Sequence, residues 1–235
     1  MTALAELKVF ATHPHPCSYL PDQQATTLFI DPETTLDSNL YSDLADVGFR
    51  RSGPHVYRPH CESCNACIAT RVDVNQFKPT RRQRKIHNRN QDLQVLELDS
   101  IDDEAAYQLY MHYITVRHQD GDMFPPSREQ YDSFLNDSIG VTRYYGFHLN
   151  NKIIAVAVTD QMRHGLSAIY TFFDPEHDRR SLGTYAVLWQ IEQTRKLGLD
   201  HLYLGYWIKE CQKMSYKTDY RPLQLLINNR WLTLS

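Results

Sequence analysis

The sequence predicts an α+β protein, and three observations carry that expectation. The second half runs strand, strand, strand, loop, helix, strand, without the strict alternation of a doubly wound sheet. The first half interleaves periodic helical stretches with isolated short strands. The 235 residues, 42% apolar and 23% charged, suffice for a globular core in one large domain or two small ones, and they exclude a disordered, fibrous or collagen-like chain.

Taken in order, Leu28–Asp31 reads as a short strand and Thr35–Val47 as a helix, with Leu36, Leu40, Leu44 and Val47 on one face and Gly48 behind it. Arg51–Ala69 is loop-rich and holds three cysteines. Arg71–Val74 reads as a brief strand, and Thr80 caps a basic helix that runs to Asn90. Leu93–Leu98 is a strand. Asp102–Arg117 and Ser127–Asn136 are helices separated by a loop with Gly121, Pro125 and Pro126. Tyr144–Leu149 and Ile153–Thr159 form a hairpin across Asn150-Asn151-Lys152. Leu166–Phe173 is an aromatic strand ended by Asp174-Pro175, followed by the polar loop Glu176–Arg180 and a helix over Ser181–Leu197 that Gly198 stops. His201–Leu204 is a strand, and Asn228-Asn229 turns a last hairpin between Leu223–Ile227 and Trp231–Leu234. The expected organisation is a cysteine-containing region over 1–75, a basic helix with its connecting helical segment over 76–140, and a C-terminal half over 141–235.

No apolar run approaches the roughly 18–20 residues that cross a bilayer. Met1–Ala11 lacks the apolar stretch of a signal peptide. These features lead us to expect a cytoplasmic protein with no membrane partner, whose five cysteines point to a metal site or reactive thiols before disulfides. The net charge of −3 hides a sharp division. Residues 50–91 carry ten Arg and Lys against Glu62 and Asp73, a surplus of +8, while the remainder sums to −11. On a helix Arg81, Lys85 and Arg89 fall on one face with Arg82 alongside, flanked by Lys78 and Arg84 and by the neutral donors Gln83, Asn88 and Asn90. Such a stripe meets successive phosphates. Charge alone leaves tRNA, DNA and anionic lipid open as its partner.

Cys61, Cys64 and Cys67 form C-x2-C-x2-C, a spacing that wraps a tight knuckle around one centre. Cys17, presented by a loop stiffened by Pro14 and Pro16, is the expected fourth ligand of a zinc ion or iron–sulfur cluster. His13, His15, His55 and His60 are rivals for that place. Cys211 reads as an ordinary cysteine in a polar context.

Arg180-Ser181-Leu182-Gly183-Thr184-Tyr185-Ala186, between a strand and a helix, resembles the R/Q-x-x-G-x-G/A anion-binding loop of GNAT acyltransferases, although Tyr185 replaces the last small residue. The surrounding strings are more specific: Gly165–Pro175, Tyr203–Ile208, Cys211–Lys217, Cys17-Ser18-Tyr19-Leu20-Pro21, Tyr57-Arg58-Pro59 and the clustered cysteines. Together they resemble the arginyl-tRNA–protein transferase family over nearly the whole chain, and within it the bacterial branch of aspartate/glutamate leucyltransferases. The resemblance implies a GNAT-like acyltransferase fold with an N-terminal cysteine-rich region that binds a metal or cluster. It implies leucyl transfer from leucyl-tRNA to the α-amine of proteins with N-terminal Asp or Glu, in the N-degron pathway of protein degradation. No DNA partner is expected, and no cofactor for the chemistry. An amine attacking an activated ester needs no enzyme nucleophile, only positioning, a proton acceptor and oxyanion stabilisation.

The catalytic candidates are Asp174, Tyr170 and Tyr206. Arg58, Arg180, Gly183, Lys213 and Lys217 are candidates for the acceptor carboxylate or the tRNA 3′ end, and Lys78, Arg81, Arg82, Arg84, Lys85 and Arg89 for the tRNA body. Three alternatives stay open on the residues alone: an arginyl donor, a GNAT N-acetyltransferase using acetyl-CoA, and a non-enzymatic metal-knuckle RNA-binding protein.

Overall fold

The computed structural model describes residues 4–234, so Met1–Ala3, part of the N-terminal stretch read above, and Ser235 lie outside it. The chain opens with strands β1 (Val9–Ala11), β2 (His15–Pro16), β3 (Gln24–Ala25) and β4 (Thr27–Ile30), then helix α1 (Ser38–Asp46). Asp37 caps α1 by accepting from the Leu40 amide at 2.7 Å. Strands β5 (Arg50–Ser52) and β6 (His55–Pro59) follow and complete a small antiparallel sheet in the order β1-β4-β6-β5. The stretch expected to be loop-rich therefore contains two strands. They are short, polar and split by the Gly53 turn, where φ is +57°, so no hydrophobic alternation announces them.

The large sheet begins with β7 (Ile68–Asp73). It continues through α2 (Arg81–Arg89), β8 (Gln94–Leu98), α3 (Glu104–Arg117) and α4 (Arg128–Tyr131), which passes into a π-helical turn over Asp132–Asn136. Then come β9 (Thr142–Leu149), β10 (Lys152–Gln161), β11 (Gly165–Phe173), a 3₁₀ turn over Pro175–Arg180, α5 (Leu182–Lys196) and β12 (His201–Trp207). A second 3₁₀ turn over Gln212–Asp219 leads to β13 (Leu223–Ile227) and β14 (Arg230–Leu234). The sheet order is β14-β13-β7-β12-β11-β10-β9-β8. All neighbours are antiparallel except β11 and β12, whose connection through α5 makes them parallel.

Local chemistry sets these elements. Thr80 and Gln83 form a reciprocal capping box at the start of α2, with contacts of 3.2 and 2.8 Å. The turns Asn150-Asn151 and Asn228-Asn229 hold all four asparagines at φ between 49° and 65°, the geometry a two-residue hairpin requires. Alternation along the strands then assigns the sheet's faces. Ala155, Ala157, Leu202 and Leu204 pack under α5 and Ile86 of α2. Val156, Val158 and Phe172 face α3, and Tyr203 faces α1.

Arg51 of β5 joins the small sheet to the large one. Its side chain and that of Asp160 on β10 are fully buried, and the guanidinium grips the carboxylate through two hydrogen bonds of 2.7 and 2.8 Å. Tyr41 and Thr142 donate to the same carboxylate at 3.1 and 2.8 Å, and Arg51 also reaches the Gly53 and Asp137 carbonyls. Every polar group is satisfied, but removing one partner strands a buried charge. Asp160→Ala is expected to lower stability by about 3–5 kcal/mol, read from urea denaturation. A loss within about 0.5 kcal/mol, typical of exposed surface changes, would mean that the pair does not join the two sheets.

Candidate active site

Strands β11 and β12 are hydrogen-bonded over only three residue pairs, Gly165↔His201, Leu166↔Leu202 and Ser167↔Tyr203, and then part. Each carries a bulge where they separate. Against β10, Val158 pairs with Tyr170 and Thr159 with Ala168, so Ile169 is an extra residue. Against β7, Tyr203 pairs with Arg71 and Gly205 with Thr70, so Leu204 is extra on β12. Gly205, at φ +77°, accommodates the turn of the backbone after it. Ile169 and Leu204 both line the cavity of about 400 Å³ that opens between the strands.

The cavity walls are apolar and aromatic. Val187 and Thr184 come from α5, Phe173 and Tyr170 from β11, Tyr113 from α3, and Tyr216 from the Gln212–Asp219 turn. Two basic side chains stand at the rim, His118 and Lys213, the latter paired with Asp120 at 2.7 Å. Burial, then Lys213 and Arg117, hold the His118 imidazole below its ordinary value, so it is neutral at pH about 7 and free to take a proton. Burial pushes the Tyr113 phenol up to about 12 and the Tyr170 phenol further still, which keeps both as hydrogen-bond donors.

On the α5 face a second cavity of about 460 Å³ is lined by Lys78, Arg82, Tyr220 and Arg221, and it shares Thr184 and Tyr216 with the first. The two hollows therefore meet across common walls. Lys78, Arg81, Arg82, Arg84, Lys85 and Arg89 are all exposed, while Gln83, Ile86 and Asn90 anchor α2 inward. Gln83 donates to the Asp219 carbonyl, and Asn90 to the Arg180 carbonyl. The basic stripe read from the sequence thus forms one open face beside the cleft.

The remaining candidates are dispersed. Of the loop residues, Arg180 holds Asp92 in a bidentate pair at 2.8 Å, whereas Gly183 lines the cleft itself, where a Cβ would come within 3.2 Å of the Phe173 ring. Asp174 lies outside the cleft, in a separate cavity with His112, Lys152 and Leu109. Its carboxylate accepts from the Glu176 amide at 3.0 Å and faces Lys152, His112 and His177 at 3.7, 3.9 and 4.0 Å. The Tyr206 hydroxyl donates to the Gly48 carbonyl at 2.7 Å, tying β12 to the small sheet. Arg58 donates to the Val47 carbonyl and borders a third cavity, of about 440 Å³, with Cys61, Cys64 and Cys67. Lys217 is buried, its ammonium donating to the Tyr206 carbonyl.

The cysteines are gathered without forming a ligand set. Burial, then Cys61, Cys17, Cys64 and Cys211, push the Cys67 thiol up to about 11. Cys211, read from sequence as a bystander, belongs to this neighbourhood. The Cys61 thiol instead lies 3.8 Å from the Thr26 carbonyl, and no three His, Cys, Asp or Glu side chains among the described residues are disposed to hold a metal.

Sequence reasoning missed His118, Tyr113, Ile169, Leu204 and Tyr216. His118 ends α3 with no motif around it, and the bulges leave no trace in an apolar run. Lys217 carries a measurable consequence. Burial and Arg50 depress its ammonium from 10.5 to about 8, so its cost to folding is complete below pH 8 and is relieved as the pH rises towards 10.5. Lys217→Met is expected to raise the urea midpoint at about pH 7 and to lose that gain by about pH 10. No gain at the lower pH would contradict the burial cost.

Two family descriptions match the chain: "Arginine-tRNA-protein transferase, N terminus" over residues 15–85 and "Arginine-tRNA-protein transferase, C terminus" over residues 105–227. The aspartate/glutamate leucyltransferases of Pseudomonas fluorescens strain Pf0-1 and Stutzerimonas stutzeri strain A1501 are 55% and 56% identical over 235 residues, covering 100% of both chains in each comparison. Among solved structures, L-PGS from Bacillus licheniformis superposes with a TM-score of 0.46 and 13% identity over 71% of this chain and 48% of that one, too slight a likeness to carry an argument. No described helix is long and apolar enough to cross a membrane.

Proposed function

The chain belongs to the arginine-tRNA–protein transferase family, and we propose that it moves leucine from leucyl-tRNA to the α-amine of proteins beginning with Asp or Glu. The observation that carries this reading is the junction of two hollows, one cationic and one apolar. Phosphates of the tRNA lie along α2, its 3′ end crosses the wall shared at Thr184 and Tyr216, and the leucyl side chain enters between Ile169, Val187 and Leu204. An arginyl donor fits less well, because no carboxylate among the described residues lines the cleft and Asp120 at its rim is engaged by Lys213. Acetyl-CoA fits less well too, because Arg180, at the first position of the loop, is engaged by Asp92. Antiparallel strands followed by a splayed parallel pair, with a helix leading from one to the other, support a GNAT-like fold.

The neutral α-amine attacks the ester carbonyl, forming the C–N bond, and the ester C–O bond then breaks to release the ribose hydroxyl. His118 takes the proton from the attacking amine and returns it to the departing oxygen, while the Tyr170 hydroxyl turns from Met123 Sδ, its 3.6 Å partner, to donate to the carbonyl oxygen. The amine's ordinary pKa of roughly 7.7–8.0 leaves a useful neutral fraction in the cell. Asp174 holds the turn behind β11 and takes no part in the transfer. We assign the chemistry no cofactor and route no step through the cysteines.

The deciding assay offers labelled leucyl- and arginyl-tRNA to peptides beginning with Asp, Glu or Ala. Leucine on the acidic peptides is the expected product, and arginine alone, or no transfer, overturns the reading. His118→Gln is expected to reduce kcat by about 10²–10⁴ with little change in leucyl-tRNA affinity. The parent rate should fall first as acid protonates the amine and again, more steeply, below the ordinary histidine range as it protonates His118; the variant should keep the first fall and lack the second. An unchanged second fall in the variant assigns the proton to another group.

A further inference from the structure

Two cations, Arg50 and Lys217, are buried against β12, which lines the cleft, and no carboxylate among the described residues meets them. Arg50, on β5, is 4% exposed and gives one nitrogen to the Ala45 and Phe49 carbonyls at 3.0 and 2.6 Å. Its Nε and second terminal nitrogen find no hydrogen-bond partner, and its guanidinium lies 5.0 and 5.9 Å from the ring centres of Tyr203 and Tyr206. Lys217 is 7% exposed and bonds only the Tyr206 carbonyl among the described residues, with no ion pair. The neighbouring Arg51 shows what the fold supplies when a buried arginine is purely structural: Asp160 satisfies it from two sides. Nothing equivalent serves Arg50 or Lys217. Unsatisfied buried donors and unpaired buried charges are costly, so a site that keeps both is built for an anion that arrives from outside.

Its place in the fold says which anion. Tyr203 and Tyr206, the rings under Arg50, bracket the Leu204 bulge that lines the cleft. Lys217 stands on the same turn that sends Lys213 and Tyr216 into the cleft wall. Arg50 therefore sits behind the reacting centre on the small-sheet side, over Tyr203, and Lys217 reaches towards it from the turn that Gln83 of α2 holds at the Asp219 carbonyl. An acceptor entering from that side brings its α-amine to the cleft with its first side chain beside it. We propose that Arg50 and Lys217 form the subsite that reads the side-chain carboxylate of the acceptor's N-terminal residue.

This inference rests on the transfer reading, and the experiment separates the two. The full-length protein is assayed with leucyl-tRNA and matched peptides beginning with Asp, Asn, Glu or Gln, for the parent and for Lys217→Met, Lys217→Arg and Arg50→Met. Melting and leucyl-tRNA affinity are measured on each. Lys217→Met is expected to stay folded and to raise KM for Asp and Glu peptides at least about tenfold, the scale of a lost charge-assisted hydrogen bond. The Asn and Gln peptides and tRNA affinity should be unmoved, and Lys217→Arg should keep the acidic preference. An unchanged Asp-to-Asn ratio in Lys217→Met overturns this inference alone. Equal loss for all peptides with weakened leucyl-tRNA binding also overturns it and assigns the cations to phosphate. A parent that transfers nothing sinks the transfer reading and this inference with it.

Discussion

Two neighbouring parallel strands that share hydrogen bonds over three residue pairs and then separate make this sheet unusual, and the rest of the molecule is arranged around that separation. A continuous sheet would satisfy its own backbone from edge to edge. Here β11 stays bonded to β10 and β12 to β7, and a bulge on each absorbs the divergence. The opening is held because its outer neighbours are fixed: β7 is clamped between β12 and β13, and β10 is pinned through Asp160 to the small sheet. Helix α5 enters from one face and the end of α3 from the other, so the cleft passes between layers with different chemistry.

Charge follows the same division. The basic surplus of residues 50–91 is real, but it serves two purposes on two faces. Arg50 and Arg51 are buried on the side of the small sheet, whereas Lys78 and the arginines and lysine of α2 are exposed on the side of α5. Under the proposed transfer, the tRNA would meet the exposed cations of α2 while the acceptor would come from the side of the small sheet, and the two would meet in the cleft. The gathered thiols border that second approach, close to Tyr19, Tyr57 and Tyr206.

Local signals were legible where local chemistry decides the structure. The Thr80 cap, the Asn-Asn hairpin turns, the strand before Asp174 and the basic stripe of α2 all stand where the sequence places them. What depends on distant partners was not legible. The polar run around Arg50–Ser52 pairs as a strand because Asp160, far along the chain, supplies its counter-charge. Arg180 looks like part of an anion loop, yet its guanidinium is paired with Asp92, and Asp174, one residue beyond the cleft-lining Phe173, opens onto the separate cavity with His112 and Lys152. His118 reaches the site only through the packing of α3, which no spacing in the sequence records.

The proposed transfer holds the leucyl group between β11 and β12. A crystal structure with a non-hydrolysable 3′-leucylamido-adenosine tests it most directly. The leucyl side chain is expected against Ile169, Val187 and Leu204, with the adenosine turned towards Thr184 and Arg82. Density for the leucyl group in the cavity beside Asp174, or in the one beneath the cysteine loop, would contradict it.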